Sequence, residues 1–168
     1  VAIGLFAGLV NNVESLFIGG SSGLYNTDGT YNVAVGSKAG WGNNTGVSNT
    51  YIGFESGEGE ANNANSENTG VGFRSLEAIT TGGDNVAIGN EAGKAITTDN
   101  KVVAIGSDAY KAMDVSTGHD TTPANGSGNI AIGFKSMTAY TNDGVLRNTA
   151  VGFLTMMSGI DHAATDNT

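Results

Sequence analysis

Asn32-Val33-Ala34-Val35-Gly36 decides the fold of this chain, because the phrase returns almost unchanged at Asn85-Val86-Ala87-Ile88-Gly89 and Asn148-Thr149-Ala150-Val151-Gly152. Its closing glycines fall at Gly4, Gly19, Gly36, Gly53, Gly72, Gly89, Gly106, Gly133 and Gly152, at intervals of 15, 17, 17, 19, 17, 17, 27 and 19 residues. A short, regular period of this kind is that of a solenoid adding one coil per repeat.

Two columns hold in all nine copies. The residue before the glycine is Ile or Val (Ile3, Ile18, Val35, Ile52, Val71, Ile88, Ile105, Ile132, Val151), and the residue three after it is small (Ala7, Ser22, Ala39, Ser56, Ser75, Ala92, Ala109, Ser136, Thr155). Within the phrase a β-branched residue, a small one and a second β-branched one alternate, which is the two-residue period of a strand. One face then packs a core while the other permits a close neighbour. The expectation is that Val35, Ile52, Val71, Ile88, Ile105 and Ile132 stack in a buried row, rising about 4.8 Å per coil. The face of Ala34, Ala87, Ala104, Ala131 and Ala150 is left for another chain, with Phe17 and Tyr51 as exceptions to the small residue. Asn opens the phrase at Asn32, Asn49, Asn68, Asn85, Asn129 and Asn148, where its amide can bond the next Asn or local backbone. Glycine four after the closing glycine, at Gly8, Gly23, Gly40, Gly57 and Gly93, fits a backbone needing positive φ.

Composition agrees with turn-rich β structure: 27 glycines, one proline, and no sustained helical period. A net charge of −9 with seven basic residues argues against a nucleic-acid partner, since such surfaces gain affinity by releasing phosphate counterions. The absence of cysteine excludes disulfides and thiolate metal sites. No apolar run is long enough to insert in a membrane. The chain opens at Val1 and closes on Asp166-Asn167-Thr168, which reads as the opening of a tenth repeat, so it is expected to be an excerpt of a longer fibre.

The quoted phrases resemble the head repeats of trimeric autotransporter adhesins and, more closely, the NTAVG-type repeats of bacteriophage tail-fibre proteins. The resemblance covers nearly the whole chain. It implies an all-β fold: a parallel β-solenoid or β-roll of about nine short repeats, assembled as a parallel homotrimer. It also implies a non-catalytic shaft or head of an extracellular attachment fibre on a virion, with other fibre proteins and a host cell-surface receptor as partners and no cofactor. Asn in place of the adhesins' Ser, with the aromatics Phe54, Phe73, Phe134 and Phe153 after the glycine, favours the phage fibre. A bacterial surface adhesin is the alternative.

Rival readings rest on single motifs. Residues 35–40, 88–93 and 132–137 fit the hexapeptide of left-handed β-helix acyltransferases, but only once per coil. Gly19-Gly20-Ser21-Ser22-Gly23 spells a nucleophile elbow, yet it sits on the repeat register and reads as a turn. His119 and His162 lie 43 residues apart without zinc spacing and read as solvated loop residues. Glu55, Glu58, Glu60 and Glu67, together with Asp84, Asp99, Asp143 and Asp166, read as a solvated acidic face in preference to a calcium site. An ice-binding solenoid would need a flat Thr-x-Thr ladder, and the threonines here scatter.

The chain is expected to form one repeat array over 1–168, with a loop inserted at about 111–128 in the longest interval. Insertions in solenoids leave the stack as surface loops. If this segment touches a receptor, the expected contacts are Asp114, Thr117, His119, Asp120, Thr122 and Asn125.

Overall fold

The computed structural model describes residues 1–8, 14–112, 128–138 and 147–156. These contain no α-helix and nine short strands: β1 (Ala2–Ile3), β2 (Leu16–Ile18), β3 (Val33–Val35), β4 (Thr50–Ile52), β5 (Thr69–Val71), β6 (Val86–Ile88), β7 (Val103–Ile105), β8 (Ile130–Ile132) and β9 (Thr149–Val151). All nine form one parallel sheet in chain order, and the chain is a β-solenoid. Each strand pairs with the next at equivalent repeat positions, as in Val33↔Thr50, Ala34↔Tyr51 and Val35↔Ile52. The longest interval does not disturb this, since Val103 pairs Ile130 and Ile105 pairs Ile132.

The two faces of the strand are the reverse of the sequence expectation. Ala34, Ala87, Ala104 and Ala131 are buried, whereas Ile52 is 41% and Ile88 40% exposed. The Ile/Val column does stack in register, but on the outside of the coil. The middle residue of each strand faces the small column three after the glycine, where Ser22, Ala39, Ser56, Ser75, Ala92, Ala109 and Ser136 are fully buried. Only the middle residue of each strand turns toward this column, so the branched residues on either side of it point the other way.

Inside, volume is traded between positions. Buried Phe17 and Tyr51 lie over Gly23 and Gly57; a Cβ on Gly23 would stand 2.5 Å from the Phe17 ring. Where the middle residue is Gly70, Ala104 or Ala131, the position four after the closing glycine carries buried Leu76, Tyr110 or Met137 instead. Coils in which both positions are small are filled from their neighbours: Gly40, in the coil of Ala34, faces the Tyr51 ring, and Gly93, in the coil of Ala87, faces Leu76 and Ile96.

Hydrogen bonds tie the coils together. Asn49 donates from backbone N (2.9 Å) and Nδ2 (3.1 Å) to Asn32 Oδ1, and Asn68 donates likewise to Asn49 Oδ1, and Asn85 to Asn68 Oδ1. Each of these amides also donates to a carbonyl at the far end of its own coil: Asn32 to Gly46 O, Asn49 to Asn65 O, Asn68 to Gly82 O and Asn85 to Asp99 O, at 2.8–2.9 Å. The expected ladder therefore bonds both to the next Asn and across the coil. It breaks at buried Val102, where Tyr110 supplies the missing polar group by accepting from Asn129 Nδ2 at 3.0 Å.

Backbone conformation repeats as strictly as sequence. The closing glycines run near φ +130°, and a Cβ on Gly4 would sit 2.6 Å from Gly19 O, so both conformation and coil spacing demand glycine. Less visible is left-handed backbone at non-glycine residues two after it, including Lys38, Glu55, Arg74 and Glu91, and at those five before it, including Ser48, Glu67, Asp84 and Lys101. Each such residue costs on the order of 1 kcal/mol. The stack offsets this: Lys38 N donates to Gly20 O at 2.9 Å and Arg74 N to Phe54 O at 2.9 Å.

Candidate interaction face

The outward side chains of the sheet make a continuous surface. Three columns contribute to it: three before the closing glycine, one before it and one after it. None of them holds a charged residue in any coil, although the chain carries 23 charges, 16 acidic and 7 basic. The central column is Ile or Val throughout. On its far flank the residues after the glycine include Phe54 and Phe73, stacked at 5.6 Å between ring centroids, and Phe134 and Phe153, stacked at 5.3 Å. These rings remain 39–70% exposed. At about 3.3 Å per residue and 4.8 Å per coil the face measures roughly 43 Å by 13 Å. Apolar side chains dominate it, interrupted by Thr50, Thr69, Thr149, Ser37, Asn90 and Ser107, none of them charged.

A charged rim runs beside the phenylalanines. Lys38 Nζ lies 3.3 Å from Glu55 and 2.9 Å from Glu58; Arg74 Nε lies 2.8 Å from Glu55 and 3.7 Å from Glu77. Lys94 continues the chain at 3.1 Å from Glu77 and 3.0 Å from Glu91, and Lys111 bridges Glu91 and Asp108. Each cation joins two coils. Lys111 and Lys94 hold the Glu91 carboxyl down at about 2, against the cost of its burial, and the ammonium groups of both lysines are stabilised in return. Arg74 and Lys135 also lie over the Phe73 and Phe134 rings, at 5.0 and 5.2 Å.

This network corrects the reading of the acidic cluster. Glu55 is buried and doubly paired, not solvated, while Glu60 and Glu67 are exposed and outside the network. Carboxylate oxygens of Glu55, Glu58 and Glu77 come within 4.8 Å of one another, a spacing a cation could bridge. Lys38, Arg74 and Lys94 already supply the positive charge there.

Ser21 of the Gly19–Gly23 motif occupies the left-handed turn position after β2 that Lys38 and Glu55 hold in later coils. The suggested receptor contacts Asp114, Thr117, His119, Asp120, Thr122 and Asn125 fall outside the described residues, as do His162, Asp143 and Asp166. Asp84 is exposed, but Asp99 is buried. The outer face was missed because branched aliphatic columns read as core. The signal that would have found it is the complete exclusion of charge from the column after the glycine, a position with no steric reason to exclude it. Among the described residues no helix is long and apolar enough to cross a membrane. Comparison of the chain with family models, with curated proteins and with solved structures returned no match.

Proposed function

We propose that this chain is a non-catalytic structural segment of an extracellular attachment fibre, a shaft or head of the phage tail-fibre kind, associating with further copies of itself as a parallel homotrimer. One observation carries the self-association: a charge-free face spanning all nine coils, rimmed by an ion-pair ladder. Apolar centre and charged rim is the anatomy of protein interfaces. The route to assembly differs from the sequence expectation, because the alanines line the coil interior and the exposed Ile/Val and Phe columns are what a neighbouring copy would cover. The viral attribution rests on the likeness of the repeat phrase.

Such a segment does mechanical work. Main-chain ladders, the Asn column and the ion pairs hold each coil to the next, so a thin rod keeps its shape without a wide core. Sedimentation equilibrium of the 168-residue chain at micromolar concentration should give three times the 16.9 kDa protomer mass, with rods visible by electron microscopy. A monomer at that concentration would remove the proposal.

A further inference from the structure

The chain's single tryptophan, Trp41, stands where the ion-pair ladder ends. It lies five after its closing glycine, the position that Glu58, Glu77, Lys94 and Lys111 fill in later coils. The Tyr25 ring, from the coil before, meets it edge-to-face, with centroids 4.6 Å apart and planes at 84°. Tyr25 N also donates to Trp41 O at 3.1 Å, so the backbone fixes the pair. Tyr25 is 37% exposed and Trp41 half-buried, and both lie outside the three columns of the outer face. Two rings set at right angles present a corner with a π face on each side.

Charge around this corner is unbalanced. The ladder joins five carboxylates (Glu55, Glu58, Glu77, Glu91, Asp108) to four cations (Lys38, Arg74, Lys94, Lys111), a net charge of −1. Glu58, one coil from Trp41 in the same column, is paired with Lys38 alone, and Lys38 is shared with Glu55. Glu60 is exposed and outside the ladder, and its carbonyl takes the space a side chain on Gly42 would need, which packs it on the residue next to Trp41. Residues 1–73 hold six acids (Glu14, Asp28, Glu55, Glu58, Glu60, Glu67) against one base, Lys38, a net charge of −5. Further along, Arg74 and Lys135 cover the rings of Phe73 and Phe134. Trp41, the ring type that attracts a cation most strongly, has none over it among the described residues.

We propose that the corner of Trp41 and Tyr25 binds an organic ammonium cation, its alkyl groups against the rings and its charge balanced by Glu58 and Glu60. The class that fits is a quaternary ammonium such as choline. Its charge is spread over methyl groups and weakly hydrated, so π faces replace the water it gives up, whereas the ammonium of a lysine is compact and strongly hydrated.

Trp41 is the sole tryptophan, so its emission reports the site without a label. Choline titrated into the 168-residue chain at constant ionic strength should shift that emission along a saturating curve, half-complete at about 1–10 mM. The neutral isostere, with a tert-butyl group in place of trimethylammonium, should bind at least about tenfold more weakly, because it keeps the shape and lacks the charge. Tyr25→Leu keeps the bulk and removes a π face, and should weaken choline binding about fivefold; Glu60→Gln should weaken it about threefold. Circular dichroism confirms that the coils of each variant are intact. Phosphatidylcholine vesicles are titrated in parallel: saturation by free choline alone assigns the site to a soluble cation, and saturation by both assigns it to a headgroup as well. Silence with both, an equal response to the neutral isostere, or choline binding unmoved by both substitutions would overturn the proposal. A chain that sediments as a monomer and still binds choline would remove the self-association above and leave this site standing.

Discussion

Replacing Asn68 by Val tests the buried amide column most directly, because the chain contains its own precedent at Val102. Asn68 is fully enclosed: its Nδ2 donates to Asn49 Oδ1 at 3.2 Å, Ser66 O at 3.0 Å and Gly82 O at 2.9 Å, and its Oδ1 accepts from Asn85 N at 3.1 Å and Asn85 Nδ2 at 3.0 Å. Several partners retain a second bond. Asn49 Oδ1 still accepts from Asn68 N and from Tyr51 Oη, and Asn85 Nδ2 still donates to Asp99 O. Two groups lose the bond Asn68 gave them, the Asn85 backbone N–H and the Gly82 carbonyl. At about 1–3 kcal/mol for each buried orphan, less about 1 kcal/mol regained by burying the valine side chain, the net loss is about 3 kcal/mol. At Val102 the same residue is tolerated because Tyr110 brings a hydroxyl into the column; the position corresponding to Tyr110 in the coil of Asn68 is Leu76. Coils touch only their neighbours, so the damage should be local. Native-state hydrogen exchange should show lost protection centred on the fourth to sixth coils, with urea unfolding giving the total. A cost below about 1 kcal/mol, or protection lost evenly along the rod, would refute the reasoning.

The reversal of faces gives a paired prediction: Ala87→Leu should cost about 3 kcal/mol or abolish folding through overpacking, whereas Ile88→Ser should change the stability of the separated chain by less than about 1 kcal/mol and weaken association instead. Both are read by unfolding at high dilution and by sedimentation. Asn26 is 1% exposed, and among the described residues neither its Nδ2 nor its Oδ1 has a hydrogen-bond partner, while Ile79 and Ile96 fill the matching position of later coils. Asn26→Leu should therefore stabilise by about 1–2 kcal/mol, seen as a higher urea midpoint. Because Lys111 and Lys94 depress Glu91 from 4.5 to about 2, its contribution is fully present above about 4.5 and is lost as pH falls through that window towards about 2. Glu91→Gln should flatten the acid limb of the stability curve there, as followed by circular dichroism; an unchanged limb would count against the ladder.

The sequence alone determined the architecture: nine stacked strands, their register, the glycine corners and the Asn column are all legible because stacking forces equivalent residues into contact, and contact at one repeated spacing forces sequence repetition. What it could not determine is which side of the strand turns inward. Alternation of Val33, Ala34 and Val35 defines two faces without a sign, and the usual rule of large apolar residues inside fails because each strand turns only its middle residue inward, whether that is Ala34, Phe17 or Tyr51. Tertiary structure also decided the left-handed turns at Lys38, Glu55 and Arg74, since no glycine marks them and only hydrogen bonds from the neighbouring coil make them affordable. The ion pairs were hidden for a related reason: Lys38 and Glu55 stand 17 residues apart in the chain and become neighbours only when one coil is laid upon the next.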